Sequence, residues 1–167
     1  KPSNILVTHD GEVKLLDFGI AKVLSQNESG AQSTATQLGL MTPDYASPEQ
    51  IKGEPLTIAT DIYSLGVVLY ELLVGQRPYR LKVKSAAQLE QAIIATEPTK
   101  PSSAVTVGAA ECRGTASRRL SRMLGGDLDT IVLKALSKSP ADRYSTIAAF
   151  ADDLCRARDG RPDSARP

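Results

Sequence analysis

The first nineteen residues constrain this chain more than any other stretch. Lys1-Pro2-Ser3-Asn4 opens it, Asp17-Phe18-Gly19 closes the stretch, and two short apolar runs lie between them. Ile5-Leu6-Val7 and Val13-Lys14-Leu15-Leu16 flank Asp10-Gly11, a pattern that predicts two antiparallel strands joined by a tight turn. Opposed residues in such a pair stand about 5 Å apart, so Asn4 and Asp17 are expected to converge at one mouth of the hairpin. An amide oxygen and a carboxylate at that mouth suit a hard divalent cation such as Mg²⁺, which takes oxygen ligands. Gly19 then permits a backbone turn that a residue with a Cβ resists.

At these residues the chain resembles the protein kinase family, in its bacterial, eukaryotic-like (Hanks-type) serine/threonine branch. The resemblance runs from Lys1 to about Gly160. It implies that Asn4 and Asp17 hold Mg²⁺ and, with Lys1, contact ATP, and that Lys1 neutralises charge on the transferred phosphoryl group. The family's catalytic base would fall two residues before Lys1, outside the sequence. A first residue that is Lys and lies inside a motif suggests a piece of a longer reading frame. The implied fold is mainly α, a protein-kinase-like C-terminal lobe with a small β-hairpin at the catalytic edge, the N-terminal lobe being absent. Residues 1–158 form the expected partial kinase domain and 159–167 a linker or tail.

Composition narrows the class further. A chain of 167 residues with 41% apolar content can bury a core, and a formal charge of +1 gives no electrostatic reason to invoke nucleic acid or an anionic membrane. Cys112 and Cys155 show neither metal spacing nor a disulfide framework, which favours a reducing cytoplasm. His9 is the sole histidine and sits beside the expected turn, so no histidine triad can be built. The opening residues do not read as a signal peptide. The longest apolar run, Ile62 to Val74, is interrupted by Ser64, Gly66 and Glu71 and is too short to span a bilayer. No membrane segment is expected here, although a parent protein could be anchored through sequence past Pro167.

The residues from Ser25 to Thr36 are polar and poor in large apolar groups, so they read as a surface loop. The resemblance implies an activation loop, with Ser33, Thr34 and Thr36 as candidate phosphosites. Thr42-Pro43-Asp44-Tyr45-Ala46-Ser47-Pro48-Glu49 resembles the segment that shapes the peptide-substrate site, with Thr42 contacting the incoming hydroxyl. Pro43 and Pro48 push Thr42 and Ser47 towards extended geometry, and Pro48 starts one helical turn to Lys52. By the same resemblance Glu49 pairs with a buried arginine near the end of the domain, and Arg143 matches it.

Asp61 to Val74 reads as a helix capped by Thr60, ended by Gly75 and buried on most sides. The resemblance gives Asp61 a supporting role, accepting backbone hydrogen bonds from the catalytic loop. A second amphipathic helix is expected over Ser85 to Thr96 through Ala86, Leu89, Ala92 and Ile93. Pro98 to Gly126 reads as a polar insert with one basic helix at Ala116 to Leu124, whose Arg118, Arg119 and Arg122, with Arg113, form a solvated face rather than a docking site. Asp127 to Leu136 and Ser145 to Arg156 are the last expected helices, with Ile131, Leu133, Leu136, Ile147, Phe150 and Leu154 as core contacts.

The resemblance thus implies a protein serine/threonine kinase that transfers the γ-phosphoryl group of ATP to protein substrates, with ATP and Mg²⁺ as cofactors and no nucleic-acid partner. Lys1 and Thr42 would touch the reacting groups, while Gly19, Glu49, Asp61 and Arg143 would support them. The alternative is a non-catalytic, pseudokinase-like binding or scaffold module. The presence of Lys1, Asn4 and Asp17 favours the enzyme, although these 167 residues alone are expected to be inactive.

Overall fold

The computed structural model describes residues 2–16, 43–79 and 85–161. Two compact units divide the chain, Lys1–Thr42 and Pro43–Pro167. In the first, a 3₁₀ turn over Pro2–Asn4 leads into β1 (Ile5–Val7), which pairs antiparallel with β2 (Val13–Leu15). The register sets Ile5 against Leu15, Leu6 against Lys14 and Val7 against Val13. The connection is wider than a two-residue turn: Thr8 N–H donates to the Glu12 carbonyl at 2.9 Å and Gly11 N–H to the Thr8 carbonyl at 3.0 Å. Gly11 takes φ +80° there, where a Cβ is strained.

The second unit is helical. Helix α1 (Pro48–Lys52) begins at a capping box, with Ser47 Oγ accepting from Gln50 N–H and the Gln50 side chain accepting from Ser47 N–H. Ser47 is extended, at φ −81° and ψ 161°, as the proline after it requires. Helix α2 (Ile58–Val74) starts three residues earlier than the sequence suggested. Thr57 caps it, and Thr60 lies inside the first turn, its Oγ1 accepting from Thr57 N–H at 3.2 Å. The helix is also less enclosed than its composition implied, since Leu65 and Leu72 face outward and Leu72 is 63% exposed. Gly75 ends it at φ +77°, and a Cβ there would lie 2.7 Å from Thr106 Oγ1.

Helix α3 (Ala86–Ala95) buries one residue, Ile93, whereas Ala86 is exposed and Leu89 and Ala92 are half-buried. The expected polar insert holds more structure than its composition signalled. It contains a 3₁₀ turn at Pro101–Ser103, the short helix α4 (Val107–Glu111) and α5 (Ser117–Leu124), with Ala109, Ala110, Leu120 and Leu124 buried. Arg113 is no simple solvated cation: it donates to the Ala109 carbonyl at 2.8 Å and to the Leu72 carbonyl, capping the ends of α4 and α2. Arg118, Arg119 and Arg122 are exposed.

Helix α6 (Asp127–Ala135) and α7 (Ile147–Arg158) complete the unit. Their apolar faces meet α2 in a core of Ile62, Ile131, Ala135, Tyr144 and Phe150, with Leu69 and Leu154 packed against it. Ile147 at the start of α7 is exposed instead. Helices α2 and α6 approach so closely that a Cβ on Gly66 would stand 2.9 Å from Ala135 Cβ. Asp129 fastens the insert to α6, accepting from Ser102 N–H at 2.8 Å and from its hydroxyl at 2.6 Å. Among the described residues no helix is long and apolar enough to cross a membrane.

Candidate functional site

Lys1, Asp17, Gly19, Ser33, Thr34, Thr36 and Thr42 lie outside the described residues. Asn4, Glu49, Asp61 and Arg143 can be placed.

Asn4 closes the mouth of the hairpin. Its backbone carbonyl accepts from Leu16 N–H at 2.9 Å, continuing the ladder past β1 and β2. Among the described residues the Asn4 side-chain oxygen takes one long hydrogen bond, 3.5 Å from Ser3 Oγ. It therefore keeps lone-pair capacity for a hard cation, and Asp17 is the residue that follows Leu16 in sequence. Among the described residues there is no group of three or more His, Cys, Asp or Glu side chains that could hold a metal.

Glu49 and Arg143 meet in the interior of the helical unit. Glu49 is 2% exposed and Arg143 5%. Arg143 Nη1 donates to Glu49 Oε1 at 2.7 Å and Nη2 to Oε2 at 2.8 Å. The remaining donors reach the carbonyls of Ala59 at 2.7 Å, Lys138 at 3.3 Å and Ser137 at 2.8 Å. Every N–H of the guanidinium is thereby used, which is what a buried arginine requires. Thr60 Oγ1 donates to Glu49 Oε1 at 2.9 Å, and the Arg143 guanidinium lies 4.8 Å from the centre of the Tyr63 ring. Burial alone would raise the Glu49 pKa. Hydrogen bonds from Arg143, from its own backbone N–H and from Thr60 outweigh it and hold the carboxyl at about 2.

That node extends to α3. Tyr63 OH donates to Tyr79 OH at 3.2 Å, and Lys138 Nζ donates to Tyr79 OH at 2.6 Å and to the Ile93 carbonyl at 2.7 Å. Burial pushes Lys138 down to about 8, with Glu97 opposing and Arg143 adding to the shift. Burial likewise lifts Tyr79 to about 12 and raises Tyr63 further. Asp61, in contrast, is exposed in the first turns of α2.

A second cluster fastens the 3₁₀ turn at Pro43–Tyr45. Tyr45 OH donates to Glu71 Oε2 at 2.6 Å, Ser64 Oγ donates to the Tyr45 carbonyl at 2.9 Å, and Arg77 Nη1 pairs with Asp44 Oδ1 at 2.6 Å. Sequence reasoning missed both this cluster and the Lys138 contacts, since each joins residues far apart in the chain and leaves no local pattern. A cleft of about 390 Å³ between the end of α2, α3 and the loop after it is lined in part by Gln76, Tyr79, Ala92, Glu97 and Ser103. It contains none of the site residues expected from sequence.

Residues 1–155 match the protein kinase domain, and the chain belongs to that family. Its relatives are bacterial serine/threonine kinases. Serine/threonine-protein kinase PknB of Mycobacterium tuberculosis is 36% identical over 165 residues, which cover 99% of this chain and 23% of that protein. A probable serine/threonine-protein kinase of Corynebacterium efficiens is 38% identical over 154 residues, 92% of this chain and 21% of that protein. PknB of Mycolicibacterium smegmatis is 36% identical over 165 residues, with 98% and 23% covered. The chain therefore spans less than a quarter of the length of these curated relatives.

Proposed function

We propose that this chain is part of the catalytic domain of a longer protein serine/threonine kinase, which moves the γ-phosphoryl group of ATP to Ser or Thr hydroxyls of proteins. The observation that carries the reading is the match of residues 1–155 to the protein kinase domain. Residues 1–158 would be the domain portion and 159–167 a linker. ATP and Mg²⁺ would be the cofactors, the metal supplying neutralisation of phosphate charge when bound.

The chain's own groups divide the work. Asn4 and Asp17 would hold the metal at the hairpin mouth, a role supported by the Asn4 amide oxygen, which among the described residues takes only a long hydrogen bond from Ser3. Lys1 would balance charge on the group in transit, and Thr42 would orient the substrate hydroxyl. Glu49 and Arg143 touch no substrate in this reading. They lock α1, and with it the segment after Thr42, to the start of α2 and the residues after α6. Asp61 would brace the backbone nearer the reacting groups. Catalysis by such parts is positioning and preorganised charge rather than covalent chemistry by the protein. Phosphate on Ser33, Thr34 or Thr36 would add charge to the loop before Thr42. The two free, exposed cysteines, Cys112 and Cys155, support a cytoplasmic setting for this part of the protein.

The test is transfer from labelled ATP to casein by the complete kinase in the presence of Mg²⁺. Transfer should fall by at least about a hundredfold in Asp17→Ala and in Asn4→Ala. Full activity in both variants would overturn the assignment.

A further inference from the structure

The turn at Pro43–Tyr45 is three residues long and cannot hold its own shape, so its fastening has to come from outside. Ser64 Oγ holds the Tyr45 carbonyl at 2.9 Å, and the charged part of the fastening runs through one side chain. Arg77, from the loop after α2, pairs through Nη1 with Asp44 Oδ1 at 2.6 Å, and its Nε lies 3.8 Å from Glu71 Oε1. The same guanidinium lies 5.1 Å from the centre of the Tyr45 ring. Tyr45 in turn donates its hydroxyl to the other oxygen of Glu71 at 2.6 Å. Asp44 and Glu71 are two partly exposed carboxylates that would repel each other across the turn, and Arg77 is the cation paired with both.

We propose that Arg77 is a positioning residue for the protein substrate: by bridging Asp44 and Glu71 and stacking on Tyr45, it fixes the turn that carries the backbone from Thr42 into α1. The inference rests on the kinase reading, in which the segment from Thr42 to Glu49 meets the substrate. It goes beyond that reading in assigning the control of that segment to a residue in the loop at the far end of α2.

The chemistry separates this role from a general one. Single exposed ion pairs contribute little to stability, and Arg77 is 39% exposed at its side chain, so its loss should leave the fold intact. What it sets is the geometry of a turn, and small misplacements of a substrate-bearing segment are costly to substrate use. Partial burial would lower the guanidinium pKa, but the Tyr45 side chain and the Asp44 and Glu71 carboxylates outweigh it and raise the pKa. A neutral side chain cannot replace it.

The test uses the complete kinase with casein and ATP as the varied substrates. Arg77→Gln should raise KM for casein about tenfold while KM for ATP and ATP hydrolysis without casein stay within about twofold. Arg77→Lys, which restores the charge without the planar fork, should recover part of the loss. Asp44→Asn removes the same contact from the other side and should reproduce the casein effect, with the double variant no worse than Arg77→Gln alone. An unchanged KM for casein in both single variants overturns the inference, as does a parallel loss in the ATP and casein constants with a lowered Tm, which would mark Arg77 as structural only. Absence of phosphate transfer by the unmodified kinase would instead sink the kinase reading itself.

Discussion

Arg143 and Glu49 stand 94 residues apart in sequence and close a two-pronged ion pair at 2.7 and 2.8 Å in the interior of the helical unit. Removing one partner leaves the other charged, dry and unpaired. Arg143→Ala should therefore destabilise the helical unit by about 3–5 kcal/mol. Arg143→Lys should fall between, because one ammonium cannot serve both carboxylate oxygens and three carbonyls. Urea unfolding of the two variants measures this, and a loss below about 0.5 kcal/mol for Arg143→Ala, the ordinary surface range, would be incompatible with the pair as described.

The same carboxylate makes the protein sensitive to acid. The Glu49 pKa falls from 4.5 to about 2 on folding, so its contribution is complete above pH 4.5 and disappears as pH drops through about 2. The contribution amounts to at most about 3 kcal/mol. Urea midpoints of wild type and Glu49→Gln between pH 6 and pH 2 should converge as pH falls; curves that stay parallel would contradict the assignment.

Lys138 gives a slope of the same sign in an alkaline window. Folding lowers its pKa from 10.5 to about 8, so between those values the unfolded chain binds more protons and stability rises with pH. The group is only half-buried, and after allowance for solvent screening the gain is about 1 kcal/mol. Tyr63 and Tyr79 are raised above 10 by burial and oppose the trend only at still higher pH. Wild type should gain stability from pH 8 to pH 9.5, and Lys138→Met should not. Equal gains in both would remove Lys138 as the source.

Gly66 offers a packing test. Alanine is favoured over glycine inside a helix by about 1 kcal/mol, yet a Cβ here would meet Ala135 Cβ at 2.9 Å and Leu136 Cδ2 at 3.3 Å. The overlap should dominate, and Gly66→Ala should cost about 1–3 kcal/mol net. Introducing Ala135→Gly in the same protein should return part of it. A stabilised Gly66→Ala would mean that α2 and α6 can move apart freely.

The hairpin was legible in the sequence because its two apolar runs and Asp10-Gly11 carry a local pattern, and α1 was legible because Pro48 has a fixed backbone angle. The start of α2 was not. Leu56 and Ile58 are exposed, so the apolar spacing begins late, and Thr60 looked like the cap that Thr57 provides. Helix α4 was missed because it has five residues with Gly108 among them, too few for a period to show. Glu49 and Arg143 were singled out through the family resemblance alone, since no local spacing connects them. Arg77 and Lys138 gave no signal, as their contacts cross 33 and 45 residues to Asp44 and Ile93.

The 94-residue separation of Glu49 and Arg143 also has a clock attached to it. During synthesis at about 5–20 residues per second, Glu49 leaves the ribosome roughly 5–20 s before its partner. For that interval α1 and α2 cannot close over the carboxylate without stranding a charge, so the emerging chain should keep this part of its core open until Arg143 arrives. A nascent chain stalled before Arg143 should accordingly stay sensitive to protease near α1, and become resistant once the stall point moves far enough downstream to expose the arginine.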